Sequence, residues 1–519
     1  MASRRDELNA YTFAKKRTVA AFLQPSPGGT EEGAPRPLRA VLPSVIVGAL
    51  ILAGFGAVGM FKPTAPKDWD KPATKVIVGK KSTTRYVVLT TGKGGKKKTL
   101  LHPVLNLASA RLLLNPAEYD VVQVADDVLD AGKPPRGPIL GIPYAPDRLP
   151  EAEDAGTAKR WAVCVQPGGK GNTVQKAAFV LGARDNGLTE GRNKLTGSQV
   201  FYVQGQDGAR YLVDAKGTKY RIAETTADSG HLTNALVGSR QPQSVTDDWL
   251  ATLHEGSPIV FPRIPGNVGA PAHVAGQLSA EENTVGMVLR TRTGEGASYY
   301  VVLEGKAQRV SEFTAWLLIN SPQTAELNLE GEARAVGLQD FVPDTARFAG
   351  QAALWPAHRT EPPVNSAEGG SGSGSRDTVC SVLRKVDGSG RTTLSTWAGT
   401  AYPTSIAAGG TSTYVTPGSG LLYTQVRGRQ TRPDGSLFLV TDTGLRYAVQ
   451  ANGDSDAGRS DIGTGDQQKQ SDGRPEPSQA QSRLGYEKVM PALVPIEWSD
   501  FLSKGPRLDT NSARQRQGS

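Results

Sequence analysis

Residues 40–61 read AVLPSVIVGALILAGFGAVGMF, an uncharged run between Arg39 and Lys62 in which Pro43 and Ser44 are the mild exceptions to an apolar composition. As a helix rising about 1.5 Å per residue, the run spans roughly 33 Å, enough to cross a bilayer's hydrocarbon core. A buried core helix and a signal peptide are the alternative readings, yet the run is longer than a typical signal h-region and starts far from residue 1. The stretch predicts one membrane-spanning helix between a short tail, residues 1–39, and a large body, residues 62–519. Flanking charge does not orient it, because Arg36 and Arg39 on one side face Lys62, Lys67, Lys71 and Lys75 on the other.

The cysteines supply the orientation. Cys164 and Cys380 are the two in the chain and both follow the span, as expected for one structural disulfide in an oxidising compartment. The tail is then cytoplasmic and the body extracytoplasmic. None of the five histidines (His102, His231, His254, His273, His358) stands near either cysteine at metal-ligand spacing, so no metal site is expected.

The body carries an internal duplication. Tyr86-Val87-Val88-Leu89 recurs as Tyr300-Val301-Val302-Leu303, and Val163-Cys164 recurs as Val379-Cys380. Tyr211-Leu212-Val213 with Gly217-Thr218-Lys219-Tyr220 recurs as Phe438-Leu439-Val440 with Gly444-Leu445-Arg446-Tyr447. Trp249, closed by Gly256 and Pro258, matches Trp498, closed by Gly505 and Pro506. Order is preserved throughout, and part of the growing offset falls in residues 451–483, a Gly-, Asp-, Ser- and Gln-rich stretch that reads as a flexible insertion. Residues 362–376, with the glycine-serine run 369–375, read as a flexible linker.

The expected fold is therefore α+β: one transmembrane helix, then a duplicated, pseudo-twofold domain of strand-hairpin and helix repeats around a central β region. The first half covers about residues 75–270 and the second about 280–510. Each half holds two hairpin-plus-helix units and a cysteine-bearing strand. One helix is expected near Thr246 to Leu253, with Asp247 and Asp248 in its first turn and Gly256 and Pro258 after its end. Its counterpart is expected over Ile496 to Leu502, entered from Pro495. Equivalent cysteines lie close together if they flank the dyad, so Cys164 and Cys380 are expected to pair and to staple half to half.

Composition narrows function. The chain has 59 basic and 50 acidic side chains in 519 residues, with 60 glycines and 35 prolines. Seven basic and four acidic residues fall within the first 39 positions, so the remainder is too evenly balanced for a protein that covers a phosphate backbone. Nucleic-acid binding is not expected. In the tail, Leu8, Tyr11, Val19, Phe22 and Leu23 can share one helical stripe that Lys15, Lys16 and Arg17 interrupt. That helix reads equally as one resting on anionic lipid and as one docking a cytoplasmic partner, with Tyr11, Phe13, Lys15, Lys16, Arg17 and Phe22 as the candidate contacts.

The runs HPVLNLASARLL at residues 102–113 and GPILGIP at residues 137–143, with the short basic tail, the span, the paired cysteines and the two Trp-to-Gly endings, resemble EccB, the single-span membrane component of actinobacterial type VII (ESX) secretion systems. The resemblance covers most of the chain and departs from the family in residues 362–376 and 451–483. It implies a structural and assembly role in a cell-membrane complex, self-association, and an EccC-like ATPase, an EccD-like channel subunit and a mycosin-type protease as partners. Family members described as ATP-hydrolysing make ATP the one small ligand to seek, but no G-x-x-x-x-G-K-[ST] loop is present. Gly79-Lys80-Lys81-Ser82 lacks the upstream glycine, and Gly92 to Thr99 reads as a hairpin tip with solvated lysines. No catalytic residue and no cofactor are assigned, and His102, ahead of Pro103 in an apolar run, reads as a packed residue. An ATP-hydrolysing subunit of the same system and a cell-wall-binding or sensing membrane protein are the competing readings.

Overall fold

The structure is a computed structural model that describes residues 4–23, 38–60, 65–92, 97–168, 173–225, 230–294, 296–352, 354–365, 376–406, 412–428, 435–450, 462 and 479–518. It divides into two compact units, Met1–Pro66 and Lys67–Ser519.

Among its described residues the first unit holds two helices. One runs Arg4–Leu23 and buries none of its residues. The other runs Leu38–Met60, 23 residues with Pro43 inside it. Its side chains are described from Val41 to Ala53. Among the described residues, no helix is long and apolar enough to cross a membrane.

The second unit is built from one motif used four times. Repeat 1 contains β1 (Lys75–Gly79), β2 (Arg85–Thr91), β3 (Lys98–Val104) and β4 (Asp120–Val124). After it come two strands of a central sheet, β5 (Arg160–Pro167) and β6 (Val174–Leu181). Repeat 2 contains β7 (Val200–Gln204), β8 (Arg210–Asp214), β9 (Thr218–Arg221), β10 (Gln243–Ser244) and β11 (His254–Glu255). Repeat 3 contains β12 (Val288–Thr293), β13 (Gly296–Leu303), β14 (Lys306–Val310), β15 (Arg334–Ala335) and β16 (Pro343–Arg347). The central sheet resumes with β17 (Thr378–Val386), β18 (Thr392–Gly399) and β19 (Thr413–Val415). Repeat 4 closes the series with β20 (Leu421–Val426), β21 (Leu437–Val440), β22 (Leu445–Ala448), β23 (Ala492–Pro495) and β24 (Ser503–Lys504).

Each repeat is a three-stranded antiparallel meander flanked by short parallel strands. In repeat 2 the order is β10-β7-β8-β9-β11, and in repeat 4 it is β23-β20-β21-β22-β24. Repeat 3 has the same plan, β15-β12-β13-β14-β16. In repeat 1 the second flanking strand shrinks to two parallel bridges, Leu101 with Arg136 and Val104 with Leu140. Parallel neighbours need a crossover, and helices supply it: Leu107–Leu113 in repeat 1 and Glu312–Ile319 in repeat 3. The expected helix near Trp249 runs Asp247–Ala251, capped by the Thr246 hydroxyl, and its counterpart near Trp498 runs Ile496–Ser499 from Pro495.

Repeats pack across the halves as well as along the chain. Repeat 1 shares a core with repeat 4, where Val87, Leu112 and Leu140 meet Leu422, Leu439 and Tyr447. Repeat 2 shares one with repeat 3, where Tyr202, Leu212 and Tyr220 meet Phe313, Leu317 and Trp355. A two-fold exchange of halves would produce this pairing. The seam lies earlier than residue 270, since Ile264, Ala272 and Val274 pack inside repeat 3.

The described ends of the two expected flexible segments are packed. Val364 N–H donates to Val200 O, and buried Asn365 bonds both the N–H and the C=O of Tyr202. At the other segment, Gln479–Arg483 is helical with Ala480 buried. The remainder of both segments, apart from buried Ile462, lies outside the described residues.

Candidate functional site

The two halves meet on β5 and β17. These strands are antiparallel, with Val163 opposite Ser381, Cys164 opposite Cys380 and Val165 opposite Val379. Because each cysteine is the other's equivalent in the duplication, this register maps onto itself when the halves are exchanged. A local two-fold axis therefore passes through the Cys164–Cys380 disulfide, whose S–S distance is 2.03 Å. Both cysteines are fully buried.

Strand alternation gives the two faces of the central sheet different roles. On one face the disulfide sits among Ala162, Phe179, Val382 and Trp397, with Tyr402 and Tyr414 against them. On the other, Trp161, Val163, Val379 and Leu383 pack against Trp249 and Trp498 from the two equivalent helices. Trp249 Nε1 donates to Val163 O at 3.1 Å, satisfying the indole inside the core. Gly256 and Gly505 lie against the rings of Tyr220 and Tyr447, where an added Cβ would overlap the ring. The repeated Trp-to-Gly endings are therefore packing devices.

The two motifs that carry the family resemblance form one clasp in repeat 1. His102 on β3 lies against Gly137, where a Cβ would overlap the imidazole, and its Nδ1 bonds Pro138 O at 2.9 Å. Burial pushes the His102 pKa down, with Arg516 adding to the effect. Asn106 Oδ1 caps the following helix by accepting from Ser109 N, while its Nδ2 donates to Ile142 O at 2.8 Å. Ser109 Oγ accepts from Ile142 N at 2.8 Å. The clasp then receives the end of repeat 4: Gln517 N donates to Ile139 O and Gln517 Nε2 to Gly141 O, both at 2.9 Å. Arg483 Nη1 donates to the last carbonyls of the same helix, Leu114 O at 2.7 Å and Leu112 O at 3.3 Å, favourable chemistry at a helix C-terminus. Burial, with Arg514 nearby, brings the Arg483 pKa down to about 10.

The turn containing Gly79-Lys80-Lys81-Ser82 holds a carboxylate of its own chain. Lys81 N donates to Asp126 Oδ2 at 2.7 Å and Ser82 N to Asp126 Oδ1 at 3.1 Å. The Ser82 hydroxyl first, and then these amides, keep the Asp126 pKa low. Of the Gly92–Thr99 hairpin tip, residues 93–96 lie outside the described residues. Among the described residues there is no group of three His, Cys, Asp or Glu that could hold a metal.

The six docking candidates all fall on the helix Arg4–Leu23 and all are exposed. They do not form one surface. At about 100° per residue, Tyr11, Lys15 and Phe22 share a side, whereas Phe13 and Arg17 point well away from it.

Two charged constellations escaped the sequence reading. Glu190 Oε1 accepts from Arg160 Nη1 and Arg384 Nη1, each at 2.7 Å, and Lys194 approaches Oε2 at 3.2 Å. The Arg384 bond first, and then Lys194, carry the Glu190 pKa down to about 2. In the other, Lys219 lies over the Tyr211 ring in repeat 2 as Arg446 lies over Phe438 in repeat 4. The second was within reach of the sequence, because both members of each pair stand inside the recurring segments.

Three comparisons place this architecture among known proteins. The family model described as type VII secretion system ESX-1, transport TM domain B, matches residues 1–519. The ESX-3 secretion system ATPase EccB3 of Mycolicibacterium smegmatis is 28% identical over 433 residues, covering 80% of this chain and 76% of that protein. The ESX-1 secretion system ATPase EccB1 of the same species is 28% identical over 280 residues, 53% of each chain. Among solved structures, a chain of an intact ESX-5 inner membrane complex matches with a TM-score of 0.57 at 21% identity, covering 100% of this chain and 96% of that one. A chain of the EccB3 dimer from the ESX-3 core complex matches with a TM-score of 0.53 at 22% identity, covering 85% and 99%. These two likenesses speak for the fold.

Proposed function

Because this chain belongs to the EccB family of type VII secretion systems, we propose that it works as a structural and assembly subunit of the secretion membrane complex. The observation that carries the reading is the family match over the whole chain. The chemistry of the chain agrees: the runs that carry the family resemblance, 102–113 and 137–143, are spent on an internal clasp, and the recurring Trp, Gly and Cys positions on packing.

The helix Leu38–Met60 anchors the protein in this reading. The support for this is the sequence: the run of residues 40–61 carries no charge, and a helix of 23 residues reaches about 35 Å. The tail then lies in the cytoplasm and the four-repeat body outside the membrane, where a buried disulfide persists. Copies of the chain, an EccC-like ATPase, an EccD-like channel subunit and a mycosin-type protease are the proposed partners, with the tail helix as a cytoplasmic contact.

The relatives are named as secretion system ATPases, which favours ATP hydrolysis as a second reading. Against it stands the turn after β1, whose amides are already engaged by Asp126. Solubilisation of native membranes with an affinity tag on this chain should recover it in a large complex with other secretion subunits. Recovery as an isolated protein would overturn the assembly reading. Protease added to spheroplasts should remove the body and spare residues 1–39, and a body resistant to protease in intact spheroplasts but cut after lysis would overturn the topology. Purified full-length protein that turns over ATP, and loses that turnover on Lys80→Ala or Lys81→Ala substitution, would favour the second reading.

A further inference from the structure

The local two-fold axis leaves the central sheet, on the face opposite the disulfide, between the equivalent helices Asp247–Ala251 and Ile496–Ser499. A cleft of about 260 Å³ lies between them. Its apolar part comes from Ala251, Ile496 and Phe501, and its charged part from Lys176, Asp248, Glu497 and Asp500. Asp248 and Glu497 are the residues immediately before Trp249 and Trp498. The duplication thus presents a carboxylate to this cleft from each half, although Ala251 on one side answers to Asp500 on the other.

The acids are not equally engaged. Asp500 is held by Arg446 at 2.7 Å. Asp248 meets Lys176 at 3.1 Å, and the same ammonium lies 5.6 Å from the centre of the Phe501 ring. Glu497 has no hydrogen bond or ion pair among the described residues. Lys176 thus already occupies the cleft in the way a ligand would, with its charge between a carboxylate and an aromatic face, a geometry that attracts cations. The second acid stands free. A cavity of this size takes one long side chain and is too small for a helix.

We propose that this cleft receives a lysine or arginine side chain from a partner polypeptide, which engages Glu497 and Phe501 and displaces Lys176. The inference deepens the assembly reading by naming the chemistry of one contact. It can fail separately, because the test uses the purified chain and a defined probe.

The full-length protein, in neutral detergent and labelled with 4-fluorophenylalanine at position 501, is titrated with the blocked tripeptide Gly-Arg-Gly and with blocked Gly-Gln-Gly, read by ¹⁹F resonance. The arginine peptide should move the resonance saturably, with binding weakened by 0.5 M salt, and the glutamine peptide should not. Glu497→Gln should weaken binding about threefold, the scale of an exposed ion pair, whereas Lys176→Met should strengthen it by removing the resident competitor. Equal binding of both peptides, no saturable shift with either, or indifference to both substitutions overturns the proposal. Unchanged thermal unfolding of each variant separates these outcomes from loss of the fold. Success here with an uncomplexed protein in native membranes would leave the cleft standing and remove the assembly reading.

Discussion

The joint between repeats 1 and 4 and the joint between repeats 2 and 3 would be exchanged by the same two-fold axis, yet they are held by different chemistry. The second is aromatic: Tyr202 and Tyr220 of repeat 2 share a core with a ring cluster on the repeat 3 side, where Phe313 lies 6.0 Å from Trp316 and 6.2 Å from Trp355, ring centre to ring centre, and Trp355 Nε1 donates to Pro258 O. The first adds polar bonds to its apolar core: Arg483 donates to Leu112 O and Leu114 O and Gln517 to Ile139 O and Gly141 O, onto a clasp that Asn106, Ser109 and His102 hold within repeat 1. In it, the C-terminal segment makes one antiparallel bridge, Leu140 opposite Arg516. Duplication fixed which surfaces meet and left the contents of each interface free to diverge. One joint depends mainly on filled volume and the other also on satisfied donors and acceptors, so they should fail differently.

The largest effect is expected at the aromatic joint. Phe313→Ala, at a fully buried ring, should cost about 3–5 kcal/mol, the range for a large aromatic truncated in a core. Chemical denaturation of the purified protein should show it, and a loss below about 1 kcal/mol would mean that the joint contributes little. Removal of the staple comes next. Cys164→Ser should cost about 2–5 kcal/mol, and hydrogen exchange should rise along β5 and β17 before either joint opens.

The polar joint should respond to loss of one partner. Asn106→Ala strands Ser109 N and Ile142 O and should cost about 1–3 kcal/mol, with exchange rising at Ser109 and in the C-terminal segment while repeat 3 stays protected. Equal loosening of both joints would erase the distinction drawn between them. The smallest expected effect is a pH slope. Burial depresses the folded pKa of His102 below its unfolded value of 6.5, so the unfolded chain takes up the proton more readily. The stability contributed by the neutral ring is present above that pH and is lost as pH falls through the folded value. Melting temperature should therefore drop on acidification, and His102→Gln should flatten that part of the curve.

Much of this plan was legible before the structure. The duplication, the equivalence of the cysteines and the helices beside Trp249 and Trp498 came from short runs that recur in order, because packing at each site demands the same residue type in both copies. The partners of the repeats were not legible. Nothing in Val87 or Leu422 states that repeat 1 rests on repeat 4, since apolar periodicity marks a buried face without naming what covers it. The clasp was hidden for a related reason: Gly137 to Pro143 carries few side-chain donors, and its bonds run through backbone groups, which every sequence has. The packing of Gln479–Arg483 was masked by its polar neighbours in the chain. Among the docking candidates, residue type says nothing of helical facing, and Phe13 and Tyr11 face different ways.

The register at the cystine also sets an order of events. β5 pairs with β6 on one edge, but its other edge waits for its own equivalent until the second copy of the unit has been made, and that copy lies 216 residues later in the chain. Throughout that interval β5 offers an open edge and a free thiol, the two features that invite mispairing with a neighbouring chain. The fold is one of high contact order at its centre, and such pairings form late and slowly. The central sheet can therefore be completed only after more than four hundred residues have been made, which makes the period between synthesis and closure the time at which this protein most needs a chaperone.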